Sequence, residues 1–171
     1  MSAEQKDSFV MAYRKLLSPS KTLGRQEFTC SGDTYGEVFS MAAGLKKTLA
    51  GRGAETSVCL CTENKAVVAA SILAALAGAC NLILPYSFSA HALLEMYEAA
   101  GFDAAIADRP EEMPGVEMIT PTAGDMADLN PGNLRDPDRS FLKLFTGGST
   151  GKPRVWSKTP RNLFAEAFYL R

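Results

Sequence analysis

The residues best suited to holding a phosphate are concentrated in one stretch, Phe145-Thr146-Gly147-Gly148-Ser149-Thr150-Gly151-Lys152-Pro153-Arg154. Three glycines remove side-chain sterics, so several backbone N–H groups can turn toward one anion. Thr146, Ser149 and Thr150 add hydroxyl donors, and Lys152 and Arg154 add charge. No acidic residue occurs between Asp138 and Glu166, an interval holding Arg139, Lys143, Lys152, Arg154, Lys158 and Arg161, a local charge of +6. The whole chain carries -1, which leaves -7 for the remainder. That segregation argues for an anion site rather than a generally basic surface, and it disfavours nucleic acid as a partner.

Other chemistry-bearing residues point to packing. Cys30, Cys59, Cys61 and Cys80 form no CxxC pair and have no histidine cluster at metal-ligand spacing. Cys59 and Cys61 would share one face of a strand, as small buried hydrophobes do. His91 is the only histidine and is expected on the surface or at a helix cap; no nucleophile-elbow pattern recruits it. Trp156 is expected to be a packed aromatic rather than a substrate platform. No metal ligands and no catalytic side chain are assigned.

The 171 residues, 46% hydrophobic and 22% charged, suffice for a globular core. The opening residues lack the basic-then-apolar order of a signal peptide. The longest uncharged apolar run, Ala66 to Cys80, falls short of the roughly 20 residues that cross a bilayer. A cytoplasmic protein without a membrane span is therefore expected.

The elements that must position the glycine-rich stretch can be read in order. Ser8 to Leu17 has helical spacing, and Ser18-Pro19-Ser20 breaks it. Phe28 to Cys30 is expected to be a short strand, followed by a turn at Ser31-Gly32-Asp33. Thr34-Tyr35-Gly36-Glu37 has the form of a capping box opening a helix to about Ala50. Ser57 to Cys61 reads as a strand, Lys65 to Ala77 as a helix apolar nearly all round and so covered on both sides, and Cys80 to Leu84 as a strand buried on both faces. A helix from Ala90 to Ala100 and a strand from Ala104 to Ala107 complete three strand-helix repeats, the mark of an α/β fold with a mainly parallel sheet flanked by helices.

Residues 109–139 hold five prolines and many acids, and only Val116 to Ile119 looks ordered, so most of this stretch reads as connecting surface. Ser140 to Phe145 is a strand leading into the glycine-rich stretch, and Thr159-Pro160 opens a helix. The organisation expected is a leader over 1–27, a βα-repeat unit over 28–108, a connection over 109–139 and a site-bearing unit over 140–171. The last helix is apolar and runs to the final residue without a stop signal, which suggests a domain that continues beyond it.

Two familiar nucleotide loops fail. The Walker A pattern GxxxxGK[ST] would need glycine where Thr146 stands, and a hydroxyl where Pro153 follows Lys152. The dinucleotide pattern GxGxxG has the wrong spacing. Residues 146–154 instead resemble the phosphate loop of the adenylate-forming (AMP-binding) enzymes, which include acyl-CoA and aryl-CoA synthetases. That pattern is a hydroxyl residue, a small residue, Gly, Ser or Thr, Thr, Gly, any residue, Pro, then Lys or Arg. Thr34 to Glu37, Val58 to Asn64 and Ala74 to Pro85 resemble upstream segments of the same family, so the likeness covers about residues 28–163.

The resemblance implies the large N-terminal domain of a ligase that uses Mg2+ and ATP to convert a carboxylic acid to its acyl-adenylate. The acyl group then passes to the thiol of CoA or of an acyl-carrier protein. It assigns Thr146, Gly147, Gly148, Ser149, Thr150, Gly151, Lys152 and Arg154 to the ATP phosphates, with Lys152 at a variable position. It places adenine recognition, the Mg2+-binding glutamate and the adenylation lysine after residue 171, so the chain alone is expected to be inactive and to need the C-terminal part of the enzyme. Gly147 replaces the usual serine or threonine, Val155 a common glycine, and Pro160 a common histidine. The Leu-Phe-Thr…Lys-Pro-Arg…Lys-Thr…Asn-Leu…Glu spacing resembles a divergent bacterial branch of the family, which leans toward a carrier protein over CoA. The alternative is a non-catalytic module that keeps the fold to bind an anion or a partner. A plain glycine-rich surface hairpin with incidental lysines would leave the acid-free interval unexplained.

Overall fold

The computed structural model describes residues 3–29, 32–107, 115–129, 134–148 and 151–169. Six strands form one sheet in the order β4-β3-β1-β2-β5-β6. They are β1 (Ser57–Leu60), β2 (Asn81–Leu84), β3 (Ala104–Ile106), β4 (Glu117–Ile119), β5 (Leu142–Gly148) and β6 (Gly151–Lys158). Every pairing is parallel except β5 with β6, which is an antiparallel hairpin at the sheet edge. The helices are α1 (Ala3–Leu16), α2 (Lys21–Gly24), α3 (Tyr35–Leu49), α4 (Lys65–Leu76), α5 (Ala90–Ala100) and α6 (Pro160–Tyr169).

Local chemistry accounts for the helix starts. The Thr34 hydroxyl accepts from the Glu37 amide while Glu37 accepts from the Thr34 amide, the reciprocal box expected from sequence. Asn64 caps α4 through Ala66 and Val67, and Ser89 caps α5 through Ala92. Thr159 and Asn162 make the same exchange before Pro160, whose missing N–H costs nothing at the first helical position. Gly101 ends α5 with φ of 59°, a conformation that favours glycine.

Helices cover both sheet faces. Val58, Leu60 and Leu82 pack with α3 and α4 in the larger core, and Cys59, Ile83, Ala105 and Phe145 pack with Leu93 and Met96 of α5 in the smaller one. Because β1 leads into α4 and β2 into α5, successive connections pass to opposite faces, the arrangement that places a crevice outside the carboxyl ends of the strands. On the α4 side, Phe9 and Tyr13 of α1 receive Phe164 of α6 edge-on, at centroid distances of 5.3 and 5.6 Å.

Four expectations need correction. Residues Phe28 and Thr29 form no strand; only Glu27 and Thr34 make an isolated bridge, and Cys30 and Ser31 lie outside the described residues. The segment after the glycines is a full strand, β6, because its residues pair with β5. The proline-rich connection is not all surface: Leu129 and Arg135 are buried, and Ser40 exchanges two hydrogen bonds with Gly124. Finally, α4 is covered by sheet and α3 on one side, while Val68, Ala69 and Ile72 stay half-buried, the last two along an open apolar groove of about 330 Å³.

Candidate anion-binding site

The glycine-rich stretch is the outer end of the β5–β6 hairpin, at the carboxyl end of the parallel strands. Pairing runs from Leu142 with Lys158 to Thr146 with Arg154, then resumes at Gly148 with Gly151. One residue of β5, Gly147, thus faces two of β6, Lys152 and Pro153. Proline has no N–H to offer a ladder, and a bulge is where a strand tolerates it. The backbone of Gly147 and Gly148 is therefore part of a ladder, not the open loop its composition suggested.

Of the residues assigned to phosphate, the structure pairs Thr146 with Arg154 across the hairpin and sets Gly147 beside them, with Gly148, Gly151 and Lys152 described in backbone only. Ser149 and Thr150 lie outside the described residues. The Thr146 hydroxyl donates across the hairpin to the Arg154 carbonyl at 3.4 Å, and the Arg154 side chain is exposed.

The excess of positive charge is smaller in space than in sequence. Arg139 pairs with Glu55 at 3.0 Å, Arg161 with Asp138 at 2.6 Å, and Lys158 with Glu166. The acids flanking the interval, and one far from it, thus fold back onto its cations. Lys143 and Arg154 have no acidic partner among the described residues, and they lie on the same hairpin.

A neighbour that sequence reading missed is Tyr86. Leu84 of β2 pairs with Leu144 of β5, and Pro85 cannot extend the ladder, so the chain leaves the sheet there. The Tyr86 ring then lies against β5, with Cδ2 3.0 Å from where a Cβ on Gly147 would stand. Its hydroxyl donates to Glu95 Oε2 of α5 at 2.7 Å, and that bond, ahead of desolvation, holds the phenol above its usual range. The sequence signal was present as a proline, an aromatic residue and a capped helix in succession.

The remaining candidates separate clearly. His91 is exposed and within 3.7 Å of Glu95, as a surface residue should be. Cys59 and Cys80 are buried thiols, and burial pushes Cys80 up to about 12. Cys61 donates to the Cys59 sulfur at 3.7 Å, a packing contact. Trp156 was expected to be packed, but it is 56% exposed because β6 is the sheet edge. Among the described residues no group of acids, histidines and cysteines could hold a metal ion, and no helix is long and apolar enough to cross a membrane.

No protein-family model matches the chain, and no curated protein matches it in sequence. Solved structures match in fold. O-succinylbenzoate CoA synthetase from Bacillus subtilis, in complex with AMP, aligns at TM-score 0.66 and 19% identity over 94% of this chain and 35% of its own. ATP-bound MatB from Rhodopseudomonas palustris aligns at 0.65 and 17% identity, over 94% of this chain and 37% of its own. The N-terminal subdomain of NpsA from Klebsiella oxytoca, with 3-hydroxybenzoyl-AMSN, aligns at 0.55 and 21% identity over 75% and 34%. The chain spans about a third of the length of each. Its mixed sheet, mostly parallel and flanked by helices, is the fold found in the N-terminal domain of the adenylate-forming enzymes.

Proposed function

We propose that this chain carries the phosphate-holding hairpin of an ATP-dependent carboxylate-activating ligase. The observation that carries this reading is positional. The one stretch matching the adenylate-forming phosphate pattern, residues 146–154, stands at the carboxyl end of a mixed sheet whose relatives in fold include an ATP-bound and an acyl-adenylate-bound enzyme. In the reaction, a carboxylate oxygen attacks the α-phosphorus of ATP and the bond to pyrophosphate breaks. Charge grows on the departing pyrophosphate, and pre-oriented N–H groups, hydroxyls and a guanidinium stabilise it without reorganising. Arg154 and Lys152 supply positive charge; Thr146, Ser149, Thr150 and the glycines supply the remaining donors.

Mg2+ fits no site among the described residues: they hold no metal-competent cluster, and the hairpin sequence carries no carboxylate. The ion enters with the nucleotide. Acceptance of the acyl group by CoA or a carrier-protein thiol, and adenine recognition, belong to the rest of the enzyme, acting in the cytoplasm. Residues 140–171 form the site-bearing unit, 28–108 its scaffold, 109–139 the connection and 1–27 the leader.

Calorimetric titration of the 171-residue chain with pyrophosphate and with Mg-ATP tests this reading. Saturable binding of both, with no carboxylate-dependent pyrophosphate exchange, is expected. Exchange by the chain alone would refute the division of labour. Absence of binding in both titrations would leave the fold as a non-catalytic interaction module.

A further inference from the structure

We infer that Tyr86 is a positioning residue for the hairpin, and that Gly147 is glycine because the Tyr86 ring occupies the place of its side chain. Two independent observations meet here. Gly147 needs no glycine for its backbone, since its φ is not among the positive ones. It needs one for space: a Cβ there would stand 3.0 Å from Tyr86 Cδ2, tighter than ordinary van der Waals contact, with Cε2 in ordinary contact at 3.5 Å. A flexible side chain could swing away at little cost. Tyr86 cannot do so freely, because its hydroxyl is tied to Glu95 on α5 at 2.7 Å.

The tie runs between elements that the core already fixes. Glu95 lies on α5, whose neighbouring Met96 and Leu93 are buried in the smaller core. β2 ends at Leu84, in register with Leu144 of β5, and Pro85 follows it out of the sheet. The ring therefore braces β5 next to the bulge, where the ladder is interrupted and pairing alone holds the strand less well. This also accounts for the departure from the family pattern at Gly147: a serine or threonine at that position would have to displace the ring.

For its ligand arm the inference rests on the phosphate reading of the hairpin; for its structural arm it does not. The test is a double-mutant cycle on the full chain with Tyr86→Ala, Gly147→Ala and the pair, plus Tyr86→Phe and Glu95→Ala. Two quantities are read: amide hydrogen exchange across Thr146 to Arg154, and affinity for inorganic pyrophosphate. Tyr86→Ala should speed exchange of the hairpin amides about tenfold while Leu82 and Ile83 of β2 keep their protection. Gly147→Ala should weaken pyrophosphate binding roughly tenfold in the native background and at most about twofold beside Tyr86→Ala. Tyr86→Phe keeps the ring and should retain binding within about threefold, whereas Glu95→Ala, at the surface and safe for folding, should loosen the hairpin to a similar small degree.

Equal effects of Gly147→Ala in both backgrounds, or hairpin exchange indifferent to both Tyr86→Ala and Glu95→Ala, would overturn the inference. If the unaltered chain binds no pyrophosphate yet the exchange cycle shows coupling, the bracing stands and the phosphate reading falls.

Discussion

The two ends of the sheet are built on opposite terms. At the amino ends of the strands, Arg135 is 6% exposed and donates to the carbonyls of Ala75, Ala54 and Cys80 at 3.3, 2.8 and 2.8 Å, and to Asn81 Oδ1 at 2.6 Å. Its own amide donates to the Leu76 carbonyl, which also accepts from the Tyr13 hydroxyl at 2.6 Å. One guanidinium thus satisfies the last turn of α4, the approach to β1 and the start of β2, and a cation at a helix carboxyl end is favoured by the dipole. At the carboxyl ends, Arg154 is exposed, Thr146 makes one long cross-strand bond, and a bulge interrupts the ladder. The first arginine has traded its freedom for structure; the second remains available to an anion.

The sharpest way to break this contrast is to exchange what each arginine can lose. Arg135→Met fills similar volume but removes the guanidinium donor from the buried carbonyls of Ala75 and Cys80, from the Ala54 carbonyl and from Asn81. Bonds from a charged donor are worth about 1.5–3 kcal/mol each, and not additively, so a loss of roughly 3 kcal/mol of stability is expected in urea unfolding. A change below about 1 kcal/mol would mean that water replaces the guanidinium there. Arg154→Ala should do the reverse. Its stability should stay within about 0.5 kcal/mol, as for exposed substitutions, while affinity for pyrophosphate falls roughly tenfold. Equal loss in an Arg139→Ala control would show a diffuse charge effect instead, because Arg139 is committed to Glu55.

A smaller effect at the buried end separates packing from hydrogen bonding. Tyr13 is fully buried against Phe9 and Phe164, and its hydroxyl shares the Leu76 carbonyl with the Arg135 amide. Tyr13→Phe keeps the ring contacts and should cost about 1 kcal/mol, less than the Arg135 change, because one acceptor keeps a second donor. Burial raises the Tyr13 phenol well above its ordinary range, so no loss of stability from its ionisation is expected up to pH 10.

What could be read from sequence at each end follows the same division. The helix starts depended on local chemistry, and Thr34, Asn64, Ser89 and Thr159 could each be read because a cap is written within four residues. The glycine-rich stretch was equally visible, but its hairpin geometry was not: strand β6 exists because β5 offers it a ladder, and its Lys-Pro-Arg composition argues against a strand. Trp156 was misjudged for a related reason, since edge position is a property of the sheet order and not of the residue. Arg135 lay within an acidic, proline-rich run that reads as surface, and only contacts more than 50 residues away in sequence bury it. Tyr86 and Gly147 likewise meet through the β2–β5 register, which no local pattern encodes.

The smallest expected effect compares Arg135 with another arginine at the same end of the sheet. Arg52, in the turn after α3, pairs with Glu117 at the start of β4 at 2.5 Å; Arg52 is half-buried and Glu117 is open to water. Arg52 holds the Glu117 carboxyl below its usual range, first through the hydrogen bond and then through its charge. A depressed carboxylate contributes its stability above the unfolded-state value near 4.3 and loses it as pH falls through the lower folded value. Carbon-detected NMR titration should therefore show Glu117 titrating below an unpaired surface glutamate, and Arg52→Gln should move it up to the ordinary range. Urea unfolding at neutral pH should barely register that substitution, because a surface pair with an exposed carboxylate is screened and its side chains give up entropy to meet. Were Arg52→Gln to destabilise the chain as much as Arg135→Met, burial would not be what distinguishes the two arginines.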